Sequence, residues 1–430
     1  MPTIAYLANQ FPSALEPYVG EEIAELRGRG VRVIAGSVRT PAANEVSATE
    51  CAPEIVLQPL KGIVLLRAIW LCVRRGKRIS PLIARVVFRD AERPLNRLKA
   101  LVHTGLGACY AVLLEGREVE HVHVHHGYFG SWIAMVAARL LGVGFSMTLH
   151  GSDLLLHGTY LEEKLQSCAF CLTVSEYNRR YILQRHPAVD SVKVIVARLG
   201  VEVSQTVVPA PKPNRKGVPF TLLAIGRLHA VKDHAFLIRA CAQLQQRGVS
   251  FECLIAGSGG EWHNLQSLIR QFGLDDRVTL LGHVAHWNLG LWYDRADVVV
   301  LTSRSEGIPL VLMEAMARCK IVLAPDITGI PELVITGKTG FLYEAGSLDK
   351  FVARLLFIRS LMQAPDDPHL SPYISSGTAQ LERVGLAAQA HILHNFNRRK
   401  NLQLFGDLFL RRIASQAESV AHENFILQQI

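Results

Sequence analysis

Short runs rich in Val, Ile and Leu alternate with helical stretches along most of this chain, and few folds admit that alternation. Strands that are apolar on both faces need helices on both faces, which points to βαβ units and parallel sheets. Ala5–Leu7 and Val31–Ala35 open one such series, and Ser191–Ala197 comes near its end. Phe220–Ile225 opens a second. A chain of 430 residues, 49% of them apolar, is too long for one core. It suits two doubly wound domains of about 200 residues each. The polar, proline-rich stretch 209–217 reads as a linker between domains at 1–208 and 218–390. A helical run from Thr378 leads to Asn395, and a further helix is expected over 398–412, ahead of a loosely held end at 416–430.

Two segments of the second half carry chemistry. After the strand-like run Ala296–Thr302 comes Glu306-Gly307-Ile308-Pro309-Leu310-Val311-Leu312-Met313-Glu314-Ala315-Met316-Ala317. Pro309 suits the first helical position, where a missing N–H costs nothing, and Leu310–Ala317 are good helix formers. The amides of Leu310 and Val311, at the open start of that helix, form an anion site. About eighty residues earlier, Phe220–Ile225 ends in Gly226-Arg227-Leu228-His229-Ala230-Val231-Lys232. Arginine and lysine five apart after a strand place two cations at the carboxyl edge of a parallel sheet, where such sheets bind ligands. Together they suit a diphosphate. Ordinary readings compete with these. Arg227 and Lys232 can be surface charges, Glu306 a helix cap, and Glu314 the i, i+4 partner of Arg318.

In order, spacing and residue type, strand-GRLxxxK followed by strand-EGxPLxxxEAMA resembles the donor half of retaining glycosyltransferases of family 4. The first half adds to the likeness. Leu149-His150-Gly151-Ser152-Asp153 resembles the family's HGxD segment, and His121-Val122-His123-Val124-His125-His126 its strand of alternating histidines. Gln10-Phe11-Pro12-Ser13, with the helical run 16–30, resembles the opening of the exopolysaccharide, colanic-acid-type branch. The likeness covers most of residues 1–350. It departs at 9–13, where many members carry a double glycine, and at Pro309, where other branches carry a glycine.

The resemblance implies an α/β fold of the GT-B type, two doubly wound Rossmann-like domains facing a central cleft, with a last helix (about 398–430) returning to the first domain. It implies a retaining hexosyltransferase that moves a sugar from a nucleotide-diphosphate sugar to a glycan or lipid-linked acceptor in cell-surface polysaccharide biosynthesis. Glu306 and His150 are then the expected catalytic residues. Arg227, Lys232, Ile308, Leu310 and Val311 are expected on the diphosphate, Glu314 on the ribose, and Gly282 and Val284 beside the base. Asp153, His125 and Ser13 are expected on the acceptor side. The glycine-rich turn 256–260 is generic strand-to-helix geometry as readily as a phosphate contact.

No metal or other cofactor is expected beyond the nucleotide sugar, because no Asp-x-Asp triplet occurs. His121, His123 and His125 share one strand face but have no carboxylate or cysteine at ligand spacing, so cation binding is the minor reading. Eight cysteines without paired spacing and no signal peptide read as reduced thiols in a cytoplasmic protein. Cys168 and Cys171 have CxxC spacing but begin an apolar strand, which favours packing.

Charge is uneven. Eleven basic residues against Asp90 and Glu92 fall in 61–99, a surplus equal to the formal +9 of the whole chain. Interleaved Ile, Leu, Val and Trp70 make this segment a candidate for docking peripherally on an anionic membrane, and a pair of ordinary helices with a basic face is the competing reading. Nucleic acid is not an expected partner, since no recognition motif accompanies the charge. Two other functions remain open: a same-fold nucleotide-sugar epimerase, and a non-enzymatic bilobal binding protein.

Overall fold

The computed structural model describes residues 2–13, 16–41, 52–89, 92–156, 158–203, 218–363 and 377–429. The expected linker 209–217 lies outside the described residues, as does Asp90. The chain divides into two compact units, Met1–Ala197 with Lys400–Ile430, and Arg198–Arg399.

The first unit carries a seven-stranded parallel sheet ordered β3-β2-β1-β4-β5-β6-β7. Its strands are β1 (Thr3–Gln10), β2 (Arg32–Arg39), β3 (Ile55–Val56), β4 (His121–His125), β5 (Gly144–Leu149), β6 (Phe170–Thr173) and β7 (Val194–Val196). Ile4 pairs on one side with Val33 and on the other with His121. The sheet is buried on both faces, which is why its strands read as continuous apolar runs. One face packs on α4 (Pro94–Leu114) and α5 (Phe129–Leu141) through Tyr110, Trp132 and Ile133. The other packs on α1 (Pro17–Gly28) through Val19, Ile23 and Leu26, and on Phe405, Phe409 and Ile413 of the last helix. That helix runs Arg398–Gln429, longer than the expected 398–412.

The second unit holds a six-stranded parallel sheet ordered β10-β9-β8-β11-β12-β13. Its strands are β8 (Phe220–Ile225), β9 (Phe251–Ala256), β10 (Val278–Gly282), β11 (Val298–Val300), β12 (Ile321–Pro325) and β13 (Phe341–Tyr343). Chain order reverses between β1 and β4 in the first sheet and between β8 and β11 in the second. Connections leave such neighbouring strands to opposite faces, so a crevice opens at their carboxyl ends.

The loops after β8, β9 and β10 are stitched together. Gly226 N donates to Ala256 O, Leu228 N to Ser258 O and Gly257 N to Gly282 O, at 2.8–2.9 Å. A Cβ at Gly257 would lie 1.8 Å from Gly226 O, and one at Gly259 2.4 Å from Leu228 O. The glycines of the 256–260 turn thus permit close approach of two loops, and that role accounts for them without a ligand.

The basic segment 61–99 covers part of the first core, with Ile79, Leu82 and Val86 buried in it, and leaves other apolar residues outside. In α2 (Gly62–Arg74) only Ala68 and Leu71 are buried, packed into the core beside α4. Ile63, Leu66, Trp70 and Val73, at helical spacing, stand on the surface, Val73 at 80% exposure. Leu95, Leu98 and Val102 form a similar exposed stripe on α4. No helix among the described residues is long and apolar enough to cross a membrane.

Candidate functional site

In the second unit the crevice between β8 and β11 brings together the two segments that were eighty residues apart. Arg304 N donates to Val231 O (2.8 Å) and Thr302 Oγ1 to Lys232 O (3.0 Å), so the two loops are tied through the backbone. Asp233 adds a further clamp, capping the next helix at Phe236 N and pairing with Arg304 Nε at 2.7 Å. Within that frame Lys232 Nζ sits 2.5 Å from Glu306 Oε1, both side chains mostly covered. The pair is exchangeable: an arriving anion can take the ammonium, and a hydroxyl can take the carboxylate. Charge-assisted bonds of this kind contribute about 1.5–3 kcal/mol each. Arg227 is exposed on the same loop and makes no ion pair among the described residues.

The helix after Glu306 spans Leu310–Ala317 (α12), as its composition predicts. Pro309 is its cap with extended backbone (φ −80°, ψ 116°) rather than its first helical residue. The pyrrolidine fits that geometry equally well, and its carbonyl accepts from Leu312 N. The Leu310 and Val311 amides therefore open the first turn without an acceptor among the described residues, and Ile308 is buried beneath them. Glu314 does not pair with Arg318, which bonds Asp294 instead. Its Oε2 accepts from Tyr293 Oη at 2.7 Å. Burial and the nearby Glu314 charge push the Tyr293 phenol well up, so it remains a donor. Gly282 ends β10 with φ +74°, and Val284 packs against the cluster that includes Leu312 and Met313.

The first unit gathers polar side chains at the carboxyl ends of β1, β4 and β5. His125 Nδ1 is 2.9 Å from His150 Nε2, and His125 Nε2 is 3.1 Å from both Tyr6 Oη and Glu22 Oε2. Tyr6 Oη also donates to Glu22 Oε2. His150 lies partly exposed at the end of β5, its ring stacked 4.6 Å from Tyr18. His126 Nε2 is 2.9 Å from Glu16 and its Nδ1 3.6 Å from Asp153. Burial opposes charge on His126, but hydrogen bonding and attraction from Asp153 and Glu16 outweigh it and raise its pKa to about 10. His150 goes the other way, held well below its ordinary value by burial and by its neighbours His126 and His125.

Two expectations change here. His125 was expected to line the acceptor side, but it is fully buried, because β4 is central and is covered by α1 and Phe409. It reaches the surface only through His150. Asp153 was expected on the acceptor side as well, yet it has no exposed surface. Its oxygens accept from Gly127 N (2.8 Å), Gly151 N (2.7 Å) and His150 N (3.2 Å), so it shapes the turn that presents His150. Ser13 starts α1 through a backbone turn, its carbonyl accepting from Glu16 N.

A carboxylate does stand beside the histidine strand, contrary to the reading of local spacing. Glu22 comes from α1, and its donor atom lies with those of His123 and His125 within 4.8 Å of one another. Each of those imidazole nitrogens already has a partner: Ser146 and Thr148 for His123, and Tyr6, Glu22 and His150 for His125. Tyr6 and Glu22 were missed because each sits in an unremarkable strand or helix, and Glu16 and His126 because each only flanks one. Cys168 and Cys171 are free thiols in the core, and burial raises both.

Comparison with known proteins agrees with this geometry. Residues 210–367 match the family described as glycosyl transferases, group 1. The colanic acid biosynthesis glycosyltransferase WcaL of Salmonella typhimurium is 36% identical over 169 residues, 38% of this chain and 41% of that protein. The D-inositol 3-phosphate glycosyltransferase of Paenarthrobacter aurescens is 32% identical over 274 residues, 58% of this chain and 67% of that protein. The chain thus spans between two fifths and two thirds of these relatives. In three dimensions Anabaena HepE, solved in complex with UDP, superposes over 96% of this chain and all of its own, with TM-score 0.66 at 18% identity. The two sheets are those of the GT-B fold. With its donor-half motifs, its matched segment and its reach across the inositol-phosphate enzyme, the chain belongs to the group 1 glycosyl transferases.

Proposed function

We propose that this chain transfers a hexose from a nucleotide-diphosphate sugar to a glycan or lipid-linked acceptor, with retention at the anomeric carbon, in cell-surface polysaccharide synthesis. Retention and the assignment to family 4 come from the resemblance of the donor motifs. The observation that carries the reading is the Lys232–Glu306 pair at the β8/β11 switch, with Glu314 about one turn into the adjoining helix. Lys232 and Arg227 bind the diphosphate and stabilise the charge that develops on it as the sugar leaves. The Leu310 and Val311 amides share that load, so the reading requires no metal. Glu306, released from Lys232, holds the hydroxyls of the transferred sugar. Glu314, braced by Tyr293, accepts from the ribose, and Gly282 and Val284 border the base. On the first unit His150 meets the acceptor, with Asp153 shaping its turn.

A thermal-shift panel of UDP, GDP, ADP and their sugar conjugates tests this reading. Stabilisation by one nucleotide, lost in Lys232→Ala and weakened in Glu314→Ala, is the expected result. No shift in a folded protein would remove it. Product formed from the sugar conjugate alone would favour an epimerase, and tight sugar binding without turnover a bilobal binding protein.

The exposed stripes on α2 and α4 give the membrane its own argument. Apolar side chains point outward there among Arg67, Arg74, Lys77 and Lys99, and Arg74 lies 5.1 Å over the Trp70 ring. This arrangement suits the interface of an anionic bilayer and supports a peripheral position on the cytoplasmic face. Binding to phosphatidylglycerol vesicles is expected, weakened by salt and by Trp70→Glu. Binding that ignores both would exclude this face.

A further inference from the structure

A buried carboxylate stands one imidazole away from His150, across His125. Glu22 is 5% exposed and receives the Tyr6 hydroxyl, which stays a phenol because burial and Glu22 push its pKa well up. A carboxylate only accepts. His125 Nε2, 3.1 Å from the same oxygen, must therefore carry a proton, since a bare nitrogen there would face an anion's lone pair. A neutral His125 then has a bare Nδ1, and the partner 2.9 Å from it, His150 Nε2, must be the donor. That leaves His150 Nδ1 as a bare acceptor on the only partly exposed ring of the line.

We propose that Glu22 and His125 are positioning residues for the transfer reaction, holding His150 in its Nε2–H tautomer and drawing inward the proton that its Nδ1 takes from the attacking hydroxyl. The proposal rests on the glycosyl-transfer reading above. In the step, the acceptor oxygen forms its bond to the anomeric carbon while the bond from that carbon to the nucleotide diphosphate breaks, the electron pair leaving with the diphosphate. The hydroxyl proton moves to His150 Nδ1, the Nε2 proton of His150 to His125 Nδ1, and the Nε2 proton of His125 to Glu22. The path resets by the reverse exchange with solvent at His150.

The surroundings of His150 explain why the proton moves on. His126, from the loop after β4, is a cation whose ring lies 4.6 Å from that of His150. His125 faces His150 from β4, Tyr18 from α1, and Asp153 sits behind its backbone with its charge committed to His126 and three amides. Asn178 holds the His150 carbonyl at 3.0 Å. A second imidazolium beside His126 is unfavourable, whereas a proton delivered to Glu22 cancels a buried negative charge. The same line accounts for a tyrosine, a glutamate and a histidine buried together, where an apolar core needs none of them.

Two-bond 1H–15N spectra of the full chain labelled with [15N]histidine test the arrangement near neutral pH. His125→Asn and His150→Asn assign the two signals. Both rings are expected as Nε2–H tautomers, and Glu22→Gln is expected to mix or invert the His150 tautomer. A His150 Nδ1–H tautomer in the wild type, or a spectrum unchanged by Glu22→Gln, would overturn the proposal. The wild-type spectrum decides alone if Glu22→Gln does not fold. This readout needs no turnover, so it stands or fails apart from the glycosyl-transfer reading. With donor and acceptor in hand, Glu22→Gln is expected to lower kcat by about 100-fold at unchanged donor KM, with partial recovery in Glu22→Asp. An unaltered kcat would overturn the relay.

Discussion

The two units hold their charges in opposite ways. In the second, Lys232 and Glu306 meet on two loops at the sheet edge, with 21% and 12% of their side chains exposed and one contact between them. In the first, His125, Glu22, His126 and Asp153 are buried, each with fixed partners. The balance of burial against neighbours falls both ways there: His126 rises to about 10 because two carboxylates outweigh its burial, and His121 falls to about 3 because burial outweighs its hydrogen bond to Gln416. The loops have water to screen and replace a partner, and the core has none. A site for a diphosphate must let its cation change partners on every turnover. A line that orients an imidazole and passes its proton inward is better built from side chains set once, when the chain folds.

The largest expected effect breaks the buried side of this comparison. Asp153→Asn strands the His126 charge and turns one of two accepting oxygens into a donor facing backbone amides, and is expected to cost about 3–5 kcal/mol in urea unfolding. A loss under about 1 kcal/mol would place Asp153 with the exchangeable groups. Next is pH. The folded chain keeps the His126 proton until about pH 10, whereas the unfolded chain releases it near pH 6.5. Its folded pKa is raised, so its stabilisation is complete below about pH 6.5 and is lost as pH climbs towards 10. The slope approaches ~1.4 kcal/mol per pH unit, and His126→Gln should flatten it. His121 has the opposite sign: held neutral, it costs stability as pH falls from about 6.5 towards 3. The smallest effect is on the open pair. Lys232→Ala should change unfolding free energy by no more than about 1 kcal/mol, because Glu306 returns to water, while the nucleotide-induced shift disappears. A large loss in the absence of nucleotide would mean that the pair is structural.

Much of the second unit's candidate site was legible because it is local. Gly226 through Lys232 follows its strand directly, and Leu310–Ala317 is helical by composition. Only the pairing of β8 with β11 had to be added for Lys232 and Glu306 to meet. The first unit's cluster was legible only in part. His150 and Asp153 stand out in HGSD, but Glu22 is one of two adjacent glutamates on an amphipathic helix, and Tyr6 one residue of an apolar strand. Neither differs locally from residues that do nothing but pack. The outward turn of α2 was also hidden, since a basic amphipathic helix has the same sequence whichever face it buries.

By itself the sequence determined the alternation of strands and helices, two doubly wound sheets and the composition of the loops after β8 and β11. These follow from periodicity and from neighbours a few residues apart. The tertiary structure decided which carboxylate meets which cation and which histidine reaches the surface. Those outcomes depend on distances across the sheet and on exclusion of water, and both arise only when segments as far apart as Glu22, His125 and His150 pack together.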